Sequence, residues 1–252
     1  MSGLRIEEAP PQLGRNLTYG MLDAIGRAIV IGDYDDSRFP TEAELTKEYG
    51  DSRSVTREAV KMLTAKGLLS ARPQQGTKIE PTTSWNLFDT DVLRWLLERQ
   101  FSIELLRQFN ELRVAIEPEA AALAARVSTP EDLARVSAGL TRMQQAELGE
   151  DNSLESDIAF HIAILRASRN PFYIQFRDVV GTALRTSIQF TNRVKGRTAN
   201  VADHTAVRDA IAAGDPDRAR HTMRLLIGDV LELIDATEIG TPPTGDPDIF
   251  PK

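Results

Sequence analysis

The sequence predicts a mainly α fold in two parts: an N-terminal module of three helices and a β-hairpin, and a C-terminal all-α helical bundle. Apolar residues recur at helical spacing over most of the chain. One stretch, residues 68–81, instead has the composition of two short strands around a turn that contains Gly76. The 252 residues are enough for two domains of ordinary size.

Composition narrows the class of protein. Hydrophobic residues make up 41% of the chain and charged residues 27%, which is typical of globular proteins. The absence of cysteine excludes disulfides, thiolate metal sites and cysteine nucleophiles. The sequence has no run of about 18 apolar residues and no signal peptide. We therefore expect a cytoplasmic protein without a membrane partner.

The N-terminal domain is predicted to span residues 16–80. Residues 1–15 are interrupted by proline and are predicted to form a flexible tail. The first helix covers residues 17–31, and Gly32 ends it.

Two further helices and the hairpin complete this domain. Thr41 and Glu44 have the spacing of a capping box at the start of the second helix, which stops at Gly50. The third helix stops at Gly67, and the hairpin follows directly. The order helix, helix, turn, helix, hairpin indicates a winged helix-turn-helix.

The third helix has a polar face that suits the major groove of DNA. The stripe predicted to be buried consists of Val55, Ala59, Met62 and Leu63. The residues predicted to contact DNA from the opposite face are Arg53, Ser54, Thr56 and Arg57. Arginine can donate two hydrogen bonds to guanine, and Ser or Thr can reach bases or phosphates.

The hairpin and the local charge support this interpretation. Gly76 lets the backbone approach DNA closely, and Arg72 and Lys78 can reach phosphate. Residues 51–78 carry six basic and two acidic side chains, although the whole chain has a net charge of −7. The alternative, an ordinary solvated helix with scattered charge, does not explain the hairpin or this charge excess.

Beyond the hairpin the sequence is helical. Residues 81–100 are predicted to form a linker and a linker helix, and residues 101–236 an all-α domain that binds effector and metal. Residues 237–252 are rich in proline and glycine, which predicts a disordered tail.

The segment ESDIAFHIAI, residues 155–164, places two polar side chains in an apolar helix. Asp157 and His161 are four residues apart, so they share one face. Such a pair is either a buried hydrogen-bonded pair or half of a metal site. The residues alone leave both interpretations open.

The segment RFPTEAELTKEYGDSRSVTREAVKMLTAKGLLSARPQQGTKI resembles the winged helix-turn-helix of GntR-superfamily transcription regulators. The matching positions are Pro40, Thr41, Glu42, Glu44, Leu45, Ser52, Arg53, Arg57, Glu58, Ala59, Arg72, Gly76 and Thr77. The resemblance implies DNA contacts from Arg53, Ser54, Thr56, Arg57 and Gly76. Many members have Arg where this chain has Ala43, so no operator sequence is implied.

The helical half resembles FadR-type regulators with an FCD ligand domain. The matching segments are ELRVAIEPEAAALAA, SDIAFHIAILRASRNP and DHTAVRDAIAAGDPDRAR. The resemblance implies a divalent metal, zinc with nickel or manganese as alternatives, held by Asp157, His161 and His204. A fourth family histidine would fall at Leu226, and His221 lies about 140° away from that position on a helix.

Four residues are predicted to contact an effector. Arg113 can donate a pair of hydrogen bonds to a carboxylate, and Glu117 lies one turn further along the same helix. Arg185 and Gln189 are candidates on a later helix. The alternative for the first two is a salt bridge on a helix surface.

The segment WNLFDTDVLRWLLER, residues 85–99, is similar to the corresponding region of D-galactonate-responsive repressors. We therefore predict a homodimeric repressor that binds operator DNA under control of a sugar acid such as galactonate. We expect no enzyme activity. The alternatives are a metal-dependent hydrolase or lyase acting on a sugar acid, and a regulator of fatty-acid or other carboxylate metabolism without metal.

Overall fold

A computed structural model describes residues 13–34, 38–72, 76–99, 102–194 and 200–238. The side chains of Arg72 and Gln189 lie outside the described part, as do most of the two predicted tails. The described residues divide into two compact units, up to Arg99 and from Ser102 onward.

The first unit contains four helices and one hairpin. Its elements are α1 (Leu13–Ile31), α2 (Glu42–Tyr49), α3 (Arg53–Ala65), β1 (Leu69–Arg72), β2 (Gly76–Ile79), a 3-10 turn (Thr82–Ser84) and α4 (Thr90–Glu98). The two strands are antiparallel, with Leu69 opposite Ile79. The first helix begins at Leu13, inside the predicted tail of residues 1–15.

The ends of α2 and α3 follow from their capping residues. Thr41 and Glu44 form the predicted capping box, and Gly50 ends α2 in the left-handed region at φ 68°. The Ser52 side chain accepts a hydrogen bond from the Val55 backbone N–H and so caps α3. These two caps set the tight turn between the helices.

Residues 81–99 belong to the first unit, whereas the sequence predicted a separate linker. Trp95 of α4 is fully buried. Gly26 of α1 lies so close to this indole that a Cβ there would come within 2.2 Å of it. The predicted linker helix is present as α4, and it packs on α1 of the first unit.

The second unit is the predicted all-α bundle. Its helices are α5 (Ile103–Val127), α6 (Pro130–Glu147), α7 (Ser153–Ala167), α8 (Arg177–Val194), α9 (Val201–Ala212) and α10 (Pro216–Glu238), with a 3-10 turn at Tyr173–Phe176 before α8. The chain before α8 thus forms a 3-10 turn, and the α conformation begins only at Arg177.

The core of this bundle is formed by small and branched residues from five of its helices. Phe160 and Ile164 of α7 pack with Val136 and Met223, and Leu226 is partly buried against the same cluster. Gly139 lets α6 approach α7 closely, since a Cβ there would lie 2.8 Å from the Phe160 Cα. Within the described ranges, no helix is long and apolar enough to cross a membrane.

Candidate metal centre and DNA-binding surface

Three potential metal ligands meet inside the helical bundle. Asp157 and His161 project from α7, and His204 projects from α9. All three side chains are buried, and one ligand atom from each lies within 4.8 Å of the others. Phe160 packs its ring edgewise against both imidazoles, which gives the cluster an apolar wall.

Hydrogen bonds on the far side of each ring orient the two histidines. His204 Nδ1 lies 2.7 Å from the Asn200 carbonyl oxygen, which can only accept, so Nδ1 carries the proton. His161 Nδ1 donates in the same way to the Glu117 carboxylate. The Nε2 atoms of both rings are therefore left to face Asp157, an arrangement that is typical of metal-binding histidines.

Two of the three distances between ligand atoms are those expected around one small divalent ion. Asp157 Oδ1 lies 3.0 Å from His204 Nε2 and 3.4 Å from His161 Nε2. Ligand atoms bound about 2.0–2.2 Å from one ion, at angles between octahedral and tetrahedral, are about 3.0–3.4 Å apart. A set of two imidazoles and one carboxylate suits zinc and similar metals, and three protein ligands leave coordination positions open.

A buried ion pair supports this cluster from α5. Arg113 Nε donates to Glu117 Oε1 at 2.6 Å, and both side chains are at most 3% exposed. Burial alone would raise the pKa of Glu117, but the charges of Arg113 and His161 outweigh it and hold that pKa well below its usual range. The i, i+4 salt bridge of the alternative is therefore present, but it is buried and does not lie on a helix surface.

Interactions within the cluster also shift the pKa values of His161 and Asp157. Burial would lower the pKa of His161, but the charge of Glu117 and the hydrogen bonds that His161 donates to Asp157 and Glu117 raise it instead. Burial would raise the pKa of Asp157, and hydrogen bonds from His161 and His204 hold it far below its usual range. Asp157 is therefore a carboxylate, the form that binds a metal.

The hydrogen-bond network continues to α8. Asn110 is fully buried and lies between Arg113 Nη1, at 3.3 Å from its Oδ1, and Ser187 Oγ, at 3.2 Å from its Nδ2. Thr182 and Thr186 of α8 are also buried, and their hydroxyls donate to backbone carbonyls one turn back. The sequence prediction missed Asn110, although its i, i+3 and i+7 spacing with Arg113 and Glu117 marks one face of α5.

The predicted effector contacts divide into two groups. Arg113 and Glu117 directly adjoin the metal ligands, with Arg113 Nη2 3.4 Å from His161 Nε2. Arg185 does not join them: it forms an ion pair with Glu155 at 2.8 Å and donates a hydrogen bond to the Gly181 carbonyl. The phase of α8 turns Arg185 toward the surface, where its side chain is 37% exposed.

The third helix, α3, presents three of its four predicted DNA contacts to solvent. Arg53, Ser54 and Arg57 are exposed. Thr56 is not: it is fully buried, and its hydroxyl lies 2.9 Å from that of Thr46 on α2. The prediction of a DNA contact from Thr56 is therefore wrong.

The error in α3 is a rotation of its buried face. The buried residues are Thr56, Ala59, Val60 and Leu63, whereas the predicted stripe was Val55, Ala59, Met62 and Leu63. The observed set has the i, i+3, i+4, i+7 spacing of a packed helix. The sequence prediction missed this buried face because Thr56 is polar and was expected to be exposed. A threonine can nevertheless be buried when its hydroxyl has a hydrogen-bond partner.

The hairpin places Gly76 in a backbone conformation that favours glycine. Gly76 begins β2 with φ at 80°, in the left-handed region where a side chain is strained. The backbone of Arg72 pairs with Gly76 across the hairpin. The first unit thus contains a polar, exposed α3 face and a hairpin whose second strand begins at a glycine.

Comparisons with known proteins agree with both units. Residues 23–79 match the family described as bacterial regulatory proteins, gntR family, and residues 108–229 match the FCD domain. The Escherichia coli HTH-type transcriptional regulator YieP is 32% identical over 216 residues, covering 84% of this chain and 93% of its own. The galactonate operon transcriptional repressor of Escherichia coli is 33% identical over 217 residues, covering 84% and 94%.

Solved structures share the fold. Lar of Listeria monocytogenes has a TM-score of 0.53 at 19% identity, covering 92% of this chain and 100% of its own. McbR/YncC of Escherichia coli has a TM-score of 0.50 at 18% identity, covering 88% and 98%. The two domain matches, together with relatives above 30% identity along most of the chain, show that this protein belongs to the GntR family of transcription regulators, in the FadR-type group with an FCD domain.

Proposed function

We propose that this regulator is a repressor whose operator affinity is controlled by a sugar acid, such as galactonate, bound to a divalent metal in the FCD domain. The observation that carries the proposal is the convergence of Asp157, His161 and His204 at the spacing of metal ligands. The name of one relative, the galactonate operon transcriptional repressor, supports the effector class. Zinc fits the donor set, with nickel or manganese as alternatives.

Different residues near the proposed metal site would contact different groups of the effector. A bound metal would supply a Lewis acid for the carboxylate and a hydroxyl of the effector. Arg113 Nη2 is the guanidinium nitrogen that has the longest contacts, 3.4 and 3.5 Å to the His161 ring, so it is the donor we assign to the effector carboxylate. Thr186 and Ser187 add buried hydroxyls on α8, which suit a polyhydroxylated ligand.

On the DNA side, α3 is proposed as the recognition helix. Arg53, Ser54 and Arg57 would contact bases or phosphates in the major groove, and the wing at Gly76 and Arg72 would follow the backbone. We propose a homodimer acting in the cytoplasm, because two copies of this unit would read a two-fold operator. The effector would release DNA by favouring a conformation that binds the operator less tightly.

A thermal-shift experiment tests the proposal. Purified protein is melted with galactonate and related hexonates and hexuronates, in zinc and after chelation. We expect a rise in melting temperature that needs both the acid and the metal. The rise should be lost in His204→Ala and kept in His221→Ala, since His221 is an exposed histidine on α10.

The remaining outcomes of the experiment would each indicate something different. A rise that survives chelation would indicate a carboxylate regulator without metal. Consumption of the sugar acid would indicate a hydrolase or lyase. No shift with any of these acids would overturn the sugar-acid assignment.

A further inference from the structure

A lysine at the end of the recognition helix forms ion pairs with the N-cap residue of α4 and with its first turn. Lys66 Nζ lies 2.8 Å from both carboxylate oxygens of Asp89 and 2.8 Å from Asp91 Oδ2. Only 12% of its side chain is exposed. A lysine bound by two carboxylates and shielded from solvent differs from the flexible surface lysines that usually contact phosphate.

The backbone reinforces this connection. The Asn86 N–H donates to the Lys66 carbonyl at 2.9 Å. Gly67 follows at φ 77°, and a Cβ there would lie 2.1 Å from the Ser84 carbonyl oxygen. The segment Ser84–Asp89, which we term the strap, therefore lies directly on the end of α3.

The strap leads into α4, which is fixed to α1 on its other side. Asp23 of α1 accepts hydrogen bonds from Trp95 Nε1 at 2.7 Å and from Arg94 Nη2 at 2.6 Å. Arg27 of α1 forms an ion pair with Glu98, at the end of α4. The helix α4 is thus held at both ends, and the chain continues from it into the effector domain.

We propose that Lys66 is a positioning residue for DNA recognition, which holds α3 to the strap and so to α4, and that its ammonium group does not itself bind phosphate. This inference rests on the assignment of α3 as the recognition helix. The ion pairs of Lys66 therefore connect the recognition helix to α4, the last helix of the first unit.

We term the ion pairs of Lys66 with Asp89 and Asp91 the clamp. Two variants remove it, one from the lysine side and one from the aspartate side. Lys66→Met removes the ammonium and keeps most of the apolar stem. Asp89→Asn/Asp91→Asn removes both carboxylates, and asparagine preserves the N-cap that Asp89 gives α4. The second variant also makes the protein less acidic, which by charge alone would strengthen DNA binding.

The test measures operator affinity by fluorescence anisotropy over a range of salt concentrations. The probe is a duplex selected from a random DNA pool with the wild-type protein, and all measurements are made where circular dichroism shows the variants folded. We expect both variants to bind roughly 2- to 30-fold more weakly than wild type. We expect the salt slope of Lys66→Met to be unchanged, whereas loss of a phosphate contact lowers the slope by about one.

The outcomes separate this inference from the proposed function. Arg57→Ala is measured in parallel as the test of α3. If Arg57→Ala weakens binding and both clamp variants bind like wild type, the clamp is refuted and the recognition helix stands. A lower salt slope for Lys66→Met, with tighter binding by the double asparagine variant, would show a phosphate contact instead. If Arg57→Ala leaves affinity unchanged, α3 is not the recognition helix and the clamp falls with it.

Discussion

Glu117→Gln should weaken both metal binding and folding. Glu117 accepts hydrogen bonds from Arg113 and His161 with 1% of its side chain exposed. Removing its charge leaves a buried guanidinium without a counter-ion, which costs about 3–5 kcal/mol. For a chain of this size that corresponds to a fall in melting temperature of about 6–20 °C.

The same substitution should affect the metal through His161. Loss of the carboxylate that orients a metal-binding histidine typically lowers metal affinity about 10- to 100-fold. Calorimetric unfolding of the metal-free protein and zinc titration of the chelated protein measure the two effects separately. The control is Arg113→Met/Glu117→Met, which removes the pair together and should destabilise the fold much less than Glu117→Gln.

Two results would refute this reasoning. Glu117→Gln could lower the melting temperature by no more than an ordinary surface substitution. It could also bind zinc as tightly as wild type does. The first would show that the buried ion pair is not a structural unit, and the second that Glu117 does not orient His161.

Two further predictions concern the first unit. Gly26→Ala should destabilise the fold by about 1–3 kcal/mol through overpacking against Trp95. The control Gly20→Ala on the same helix, where a Cβ meets no described atom within 4 Å, should be neutral or stabilising by about 0.5–1 kcal/mol. Equal melting temperatures of the two variants would contradict the packing of α4 on α1. Burial would raise the pKa of Asp91, but hydrogen bonds from Lys66 and Arg94 outweigh burial and lower it. A carboxylate with a lowered pKa stabilises the fold at pH values above the usual carboxyl pKa, and this stabilisation is lost as the pH falls below about 4. The stability difference between wild type and Asp91→Asn, measured by urea unfolding, should therefore disappear in acid, and a difference that persists there would rule out the ion pair as its cause.

Helix ends and the fold class were predictable because they depend on local sequence. The capping box at Thr41 and the stop at Gly50 are short-range signals, and both are present in the structure. The face of α3 was less predictable, because burial of Thr56 depends on a partner hydroxyl from Thr46 on another helix. Residue type alone indicated an exposed threonine.

The metal cluster was predictable only in part. The spacing of Asp157 and His161 indicates a shared helix face, and only the family resemblance added His204 from another helix. The partners of the two rings could not be read from the sequence: one is the backbone carbonyl of Asn200 and the other is Glu117, 44 positions away from His161. Such contacts are set by the packing of helices.

The packing of α4 on α1 could not be predicted from the sequence for a related reason. A helix of nine residues between two longer domains has the sequence pattern of a connector. The helix α4 belongs to the first unit because the Trp95 indole packs against Gly26 of α1, which is distant in the sequence. Small residues give little signal in a hydrophobic pattern, although they determine how closely two helices can pack.

The most direct test of the proposed control site is anomalous scattering from crystals grown with zinc and galactonate. We predict one anomalous peak about 2.0–2.2 Å from Asp157 Oδ1, His161 Nε2 and His204 Nε2, with oxygen atoms of the sugar acid completing its coordination. Zinc bound elsewhere, or galactonate bound away from these three side chains, would contradict the proposal that the effector acts through this metal.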